Sequence, residues 1–162
     1  VLKIIIVMGV SGCGKSTLGN ALAESLKVPF IEGDDFHPQS NIEKMKRGTP
    51  LTDADRETWL IQLGMQLEKQ QTSGVVLACS ALKASYRKLL TEGLAKKRIL
   101  WVYLKCEIEQ LTSRMQKRNH FMPLSLLQSQ LHTLEEPKEA VVLHGHLSLL
   151  EMINHIKKQL DD

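Results

Sequence analysis

Eight residues near the start of the chain restrict its fold more than any other feature. Gly9-Val10-Ser11-Gly12-Cys13-Gly14-Lys15-Ser16 matches GxxxxGK(S/T); the apolar run Ile4 to Val10 leads into it, and Leu18, Leu22 and Leu26 follow four apart. A β-rich apolar run entering a glycine loop that opens an amphipathic helix is the setting this phosphate-binding loop requires. Composition alone produces the bare pattern in roughly one chain of this size in a few hundred, and the strand and helix around it make chance rarer still. The glycines turn successive backbone N–H groups inward and the helix adds the positive end of its dipole, which together make an anion cradle. The loop from Gly9 through Thr17 is therefore expected around the phosphates of ATP, with Lys15 reaching the β- and γ-phosphates and Ser16 offering its hydroxyl to Mg²⁺. Cys13 matters there for its backbone, and no catalytic role is assigned to its sulfur.

The rest of the chain repeats the same alternation. Strands are expected at Lys3 to Met8, Pro29 to Glu32, Val75 to Cys79, Ile99 to Leu104 and Val141 to Leu143. Between and after them, helical periodicity fits Ser16 to Leu26, Asn41 to Lys46, Asp53 to Gln71, Ala84 to Leu90, Glu107 to Lys117, Ser125 to Leu134 and Leu147 to Leu160. Apolar strands alternating with amphipathic helices predict an α/β fold with a parallel sheet covered on both faces. At 162 residues the chain fits one domain, 1–162, large enough to bury a core without staples.

Composition excludes several function classes. Aromatic residues are only 4%, charges are interspersed and the net charge is +3, which leaves no stacking platform or basic stripe for nucleic acid. The run Ile4 to Val10 is too short to cross a bilayer and reads as a buried strand rather than a signal peptide. Cys13, Cys79 and Cys106 are odd in number and lack CxxC spacing, which points to a reduced, cytoplasmic protein with Cys79 and Cys106 as small buried hydrophobes. No NKxD-like segment reads guanine, and the third strand runs into Ser80-Ala81-Leu82 with no acidic residue to hold magnesium. Switch GTPases and mechanical ATPases lose ground accordingly.

Ligands of parallel sheets lie beyond the carboxyl ends of the strands. After the second strand come Gly33-Asp34-Asp35-Phe36-His37-Pro38, Asn41-Ile42-Glu43-Lys44-Met45 and Gly48-Thr49-Pro50-Leu51-Thr52-Asp53-Ala54-Asp55-Arg56, with Trp59 beyond; after the third come Cys79-Ser80-Ala81-Leu82-Lys83, Tyr86 and Arg87. With these, His120-Phe121-Met122-Pro123 and the stretch from Gln128 to Pro137, the chain resembles the gluconokinase family over about Met8 to Pro137. That family belongs with the shikimate-kinase-like and nucleoside-monophosphate-kinase-like P-loop folds.

The resemblance implies a P-loop NTPase fold with a five-stranded parallel sheet, a mobile lid around 114–137, a homodimer, and transfer of the γ-phosphoryl of ATP to the 6-hydroxyl of D-gluconate. Asp34 accepts or orients the hydroxyl proton and holds metal-bound water. For Asp35 a turn cap and a ligand role stand side by side, as do a sugar-acid contact and a backbone-satisfied loop residue for His37. A polyhydroxy carboxylate needs a fork-shaped cation among donors, which Lys44, Arg56, Tyr86 and Arg87 could supply, with Ser80 and Ala81 lining the sugar. Arg56 near a helix start is disfavoured by the dipole, which suits a ligand role; pairing with Asp53 or Glu57 on the surface is the alternative. Trp59 reads as core beside Leu63. Arg114 and Arg118 are carried over as lid cations over the phosphates, and His120 as a further acceptor-site contact, although cations also favour a helix C-terminus. The lid departs from the family pattern, with no glycine before His120 and a short segment from Pro137 to Val141. Two other readings compete: a same-fold kinase of shikimate or a nucleoside monophosphate, and a nucleotide-binding protein without catalysis.

Overall fold

The computed structural model describes residues 3–118 and 124–161, with the backbone alone at 115–118. Five parallel strands, β1 (Ile4–Met8), β2 (Phe30–Glu32), β3 (Val75–Ala78), β4 (Ile99–Lys105) and β5 (Val141–His144), form one sheet in the order β2-β3-β1-β4-β5. Ile4 pairs with Val75 on one side and Ile99 on the other, and Val102 pairs with Val141. β1 is therefore central, and all five of its residues are buried. At about 1.5–3 kcal/mol for each large apolar side chain, this strand anchors the core and fixes where the glycine loop leaves the sheet.

The helices α1 (Lys15–Leu26), α2 (Gln39–Lys46), α3 (Asp53–Gln70), α4 (Ala84–Leu90), α5 (Ile108–Arg118), α6 (Leu124–Thr133) and α7 (Leu149–Asp161) connect and follow the strands. Leu18 and Leu22 of α1 and Leu60, Leu63 and Leu67 of α3 are buried, as their four-residue and three-residue spacing predicts. Observed ends differ from the expected ones by one or two residues, the usual scatter at frayed termini. A short 3₁₀ turn at Gly33–Phe36 has no counterpart in the periodicity. It forms because the Glu32 carboxylate caps the Asp34 N–H at 3.4 Å. α3 opens on a capping box in which Thr52 and Asp55 exchange side-chain to backbone bonds. Among the described residues no helix is long and apolar enough to cross a membrane.

Candidate active site

The cradle forms where β1 ends. Gly9, Gly12 and Gly14 take φ values of 149°, 86° and 91°. At Gly9 a side chain is also excluded by contact, since a Cβ would stand 2.7 Å from the Leu104 carbonyl oxygen. Gly14 caps α1 in the left-handed conformation with no side-chain bond to the first turn, which leaves that turn's N–H groups to an anion. Lys15 reaches back across the loop and donates to the Val10 carbonyl at 3.0 Å. The Ser11 N–H donates to Gln130 Oε1 of α6 at 2.8 Å. The exposed Ser16 hydroxyl donates to the Glu32 carboxylate, and Thr17 is exposed on the same turn.

Beside the cradle a cleft is lined by Ser11, Lys15, Asp34, His37, Arg56 and Ser80, closed by Trp59, Leu82, Leu126, Ser129 and Gln130. Asp34 holds its carboxylate 73% exposed at the mouth. His37 is buried and stacked on Trp59, with ring centroids 4.1 Å apart and planes inclined by 16°. Its tautomer follows from its neighbour. The Asn41 amide nitrogen donates to the Asp55 carbonyl at 2.9 Å, which orients the amide, and the same nitrogen faces His37 Nδ1 at 3.2 Å. Nδ1 must accept, so the ring proton sits on Nε2, 3.9 Å from Asp34. Burial pushes His37 down to about 4, against the pull of Asp34 and with the help of Arg56, so the ring is a neutral donor.

Arg56 is aimed by a relay. Its Nη1 donates to the Tyr86 hydroxyl at 2.9 Å, its guanidinium lies 5.3 Å from the Tyr86 ring centroid, and the Tyr86 hydroxyl donates onward to Asp53. Lys83 meets Asp53 at 3.1 Å. The Tyr86 bond, then Lys83, hold the Asp53 carboxyl below its ordinary range, while burial and Asp53 push the Tyr86 phenol up. Arg56 is thus held from behind with a face toward the cleft, and the direct pair with Asp53 does not form.

Other expected ligands are turned elsewhere. Lys44 is bound to Asp55 at 2.7 Å and supports the cap of α3. Tyr86 stands behind Arg56, outside the cleft lining. Ala81 is fully buried at a φ of 43°, and Asp35 is exposed in the 3₁₀ turn. Arg87 gives Nη1 to the carbonyls of Ala81 and Leu82 at 2.7 and 3.2 Å, and Nη2 to that of Glu135 at 2.9 Å. Arg114 bridges the cradle and the turn after β5, donating to the carbonyls of Gly12, Cys13 and Gly145 at 3.3 Å each. The Arg118 side chain and His120 lie outside the described residues.

Three residues assigned no site role from the sequence belong to the site. Glu32 supplies a carboxylate at Ser16, from the second strand rather than the third where an acid was sought. Asn41 sets the His37 tautomer, and Trp59 is both core and wall, its Nε1 donating to the Gly33 carbonyl at 2.8 Å. Position at the end of a strand was the available signal for Glu32; Asn41 left none.

Fold and cleft define a phosphotransferase of the P-loop kinase class, built to bring a bound nucleotide against a small polar acceptor. The family model described as shikimate kinase matches residues 11–154. A gluconokinase of Gluconobacter oxydans is 44% identical over 167 residues, covering 97% of this chain and 93% of its own. The crystal structure of a gluconokinase from Sinorhizobium meliloti is 45% identical, covers 98% of this chain and 91% of its own, and superposes with a TM-score of 0.88. The APS kinase of Mycobacterium tuberculosis, solved with AMPPNP and APS, shares the fold at 17% identity and a TM-score of 0.75, covering 99% of this chain and 98% of its own. Within the shikimate-kinase-like enzymes, the chain belongs to the gluconokinase family.

Proposed function

We propose that this protein transfers the γ-phosphoryl group of ATP to the 6-hydroxyl of D-gluconate, giving 6-phospho-D-gluconate and ADP. The observation that carries the reading is one cleft in which a phosphate cradle, an exposed carboxylate, a neutral histidine donor and a buttressed arginine fork face each other. Gluconate presents a complementary set: a carboxylate at one end, hydroxyls along its length and a reacting hydroxyl at the other.

Each residue has a task in this reading. Lys15 leaves the Val10 carbonyl to hold the β- and γ-phosphates, with the loop from Gly9 to Thr17 around them and Arg114 beside the cradle. The hard oxygen donors at Ser16, Glu32 and Asp34 suit Mg²⁺ and would hold it beside the cradle. Bound there, Mg²⁺ supplies neutralisation of charge on the phosphates. Asp34 orients the 6-hydroxyl and accepts its proton. His37 Nε2–H and Ser80 bind sugar hydroxyls, and the Arg56 fork binds the carboxylate. Residues 1–162 act as one kinase domain with a lid around 114–137. The cysteine pattern supports a cytoplasmic location and the family resemblance supports a homodimer, which sedimentation would test.

An acceptor panel with Mg-ATP tests the assignment, reading ADP released with gluconate, glucose, shikimate, AMP or no acceptor. ADP formation dependent on gluconate is expected. Equal hydrolysis without acceptor, or turnover on another acceptor alone, would overturn it.

A further inference from the structure

Two thiols lie against the nucleotide site with no part in phosphoryl transfer. Cys13 is buried inside the cradle loop, and Cys106, half-buried, follows β4. Their side chains interact, each shifting the other's ionisation. Cys106 Sγ also lies 3.8 Å from the Cys13 carbonyl oxygen and 3.9 Å from Arg114 Nη1. A Cβ at residue 145 would stand 2.5 Å from the same sulfur, so Gly145 leaves the space that Cys106 fills.

The surroundings treat the two sulfurs differently. The interaction with Cys13 and the Arg114 guanidinium hold Cys106 down, to about 7, against desolvation, with Lys15 acting in the same direction. The interaction with Cys106 and burial push Cys13 far above the usual thiol range. The nearby Tyr103 phenol donates to Glu136 at 3.0 Å and is itself pushed up by burial and Glu136, and more weakly by the two sulfurs. A thiolate beside a protonated thiol is the arrangement of an oxidant-reactive cysteine and its resolving partner. Cys79 is the contrast, fully buried in the core and pushed up to about 12 by desolvation.

We propose that Cys106 is a peroxide-sensitive thiol resolved by Cys13 of the phosphate loop, so that a reversible disulfide between them closes the nucleotide site. The Cys106 thiolate attacks one peroxide oxygen, the O–O bond breaks, and sulfenic acid and hydroxide result. Cys13 sulfur then attacks Cys106 sulfur; the S–S bond forms, the S–O bond breaks, and the departing hydroxide takes the Cys13 proton as water. In sum, two thiols and one peroxide give a disulfide and two waters. A disulfide bond of about 2.05 Å is far shorter than any contact between two thiols. Cys13 must therefore be drawn toward Cys106, which displaces its neighbouring N–H donors and the Gly12 and Cys13 carbonyls on which Arg114 rests.

The test treats the full chain with hydrogen peroxide and follows intact mass, a non-reducing peptide map and calorimetric titration with ADP. Expected are loss of two hydrogens, a Cys13–Cys106 link with Cys79 alone still alkylatable, and ADP affinity at least about tenfold weaker, restored by reductant. Cys106→Ser, with Cys106→Ala as a second form should the first fold poorly, is expected to keep its ADP affinity under peroxide. The proposal is overturned if Cys13 stays alkylatable after oxidation, or if the linked protein binds ADP as the reduced protein does. Neither readout uses gluconate, so an error in the acceptor assignment leaves this test intact.

Discussion

His37 makes acid stability a direct test of how the acceptor cleft is built. Its side chain is 4% exposed, stacked on Trp59 and bonded through Nδ1 to Asn41; the charged groups facing it are Asp34 and Arg56. In the fold it takes up a proton only near pH 4, against 6.5 in the unfolded chain. Above 6.5 the ring is neutral in both states and contributes no pH dependence. Between 6.5 and about 4 the unfolded chain binds a proton that the fold refuses, so stability falls as the pH falls. At about 1.4 kcal/mol per pH unit the full loss is on the order of 3 kcal/mol, with about 2 kcal/mol already gone at pH 5. Replacing His37 with Gln removes the titration while keeping a polar side chain. Urea unfolding of both proteins at pH 7.5 and pH 5 isolates the effect, because other titrating groups cancel in the difference. The wild-type protein should lose about 2 kcal/mol more than His37→Gln over that interval. Parallel losses in the two proteins, or a His37 ring signal titrating near 6.5, would refute the buried neutral tautomer.

Gly33→Ala places a Cβ 2.5 Å from the Ala78 carbonyl oxygen and disturbs the carbonyl that Trp59 Nε1 uses, so urea unfolding should show a loss of about 2 kcal/mol or more. Lys15→Met should lower kcat/KM for ATP by about 10²–10³ in a coupled ADP assay while the protein unfolds at nearly the same urea concentration, because Lys15 makes one exchangeable bond to Val10 in the free protein. Arg87→Met strands the Ala81 and Glu135 carbonyls, while the Leu82 carbonyl keeps the Glu135 N–H, so it should cost about 2 kcal/mol of stability and change kcat together with both KM values; an effect confined to the gluconate KM would restore Arg87 as a ligand.

What the sequence made legible, and what it hid, divides along the range of the interactions. The cradle was readable because its strand, glycines, lysine and helix are contiguous, and the sheet followed because buried parallel strands are apolar throughout. Arg56 stood out through its conflict with the dipole at the start of α3, and the structure supplies the compensation in Tyr86 and Asp53. Arg87 resembled it as a cation near the acceptor loop, yet its partners are carbonyls, which every residue has and which leave no trace in a sequence. Lys44 was hidden differently: its partner Asp55 also belongs to a cap, and only the bend between α2 and α3 brings them together.

A further property of the cleft belongs to no single motif. Lys15 rests on the Val10 carbonyl, Ser16 on Glu32, and the Ser11 N–H on Gln130. Each of these three donors thus has an internal acceptor in the free protein, which spares it the cost of standing unpaired. Binding then exchanges one acceptor for another, so the net gain comes from charge: a phosphate oxygen accepts more strongly than a carbonyl or an amide. The exchange at Ser11 also withdraws a contact from α6, the helix that carries Leu126, Ser129 and Gln130 over the acceptor cleft. Occupation of the cradle by nucleotide is therefore expected to alter the wall of the acceptor site, coupling the two substrates through one hydrogen bond.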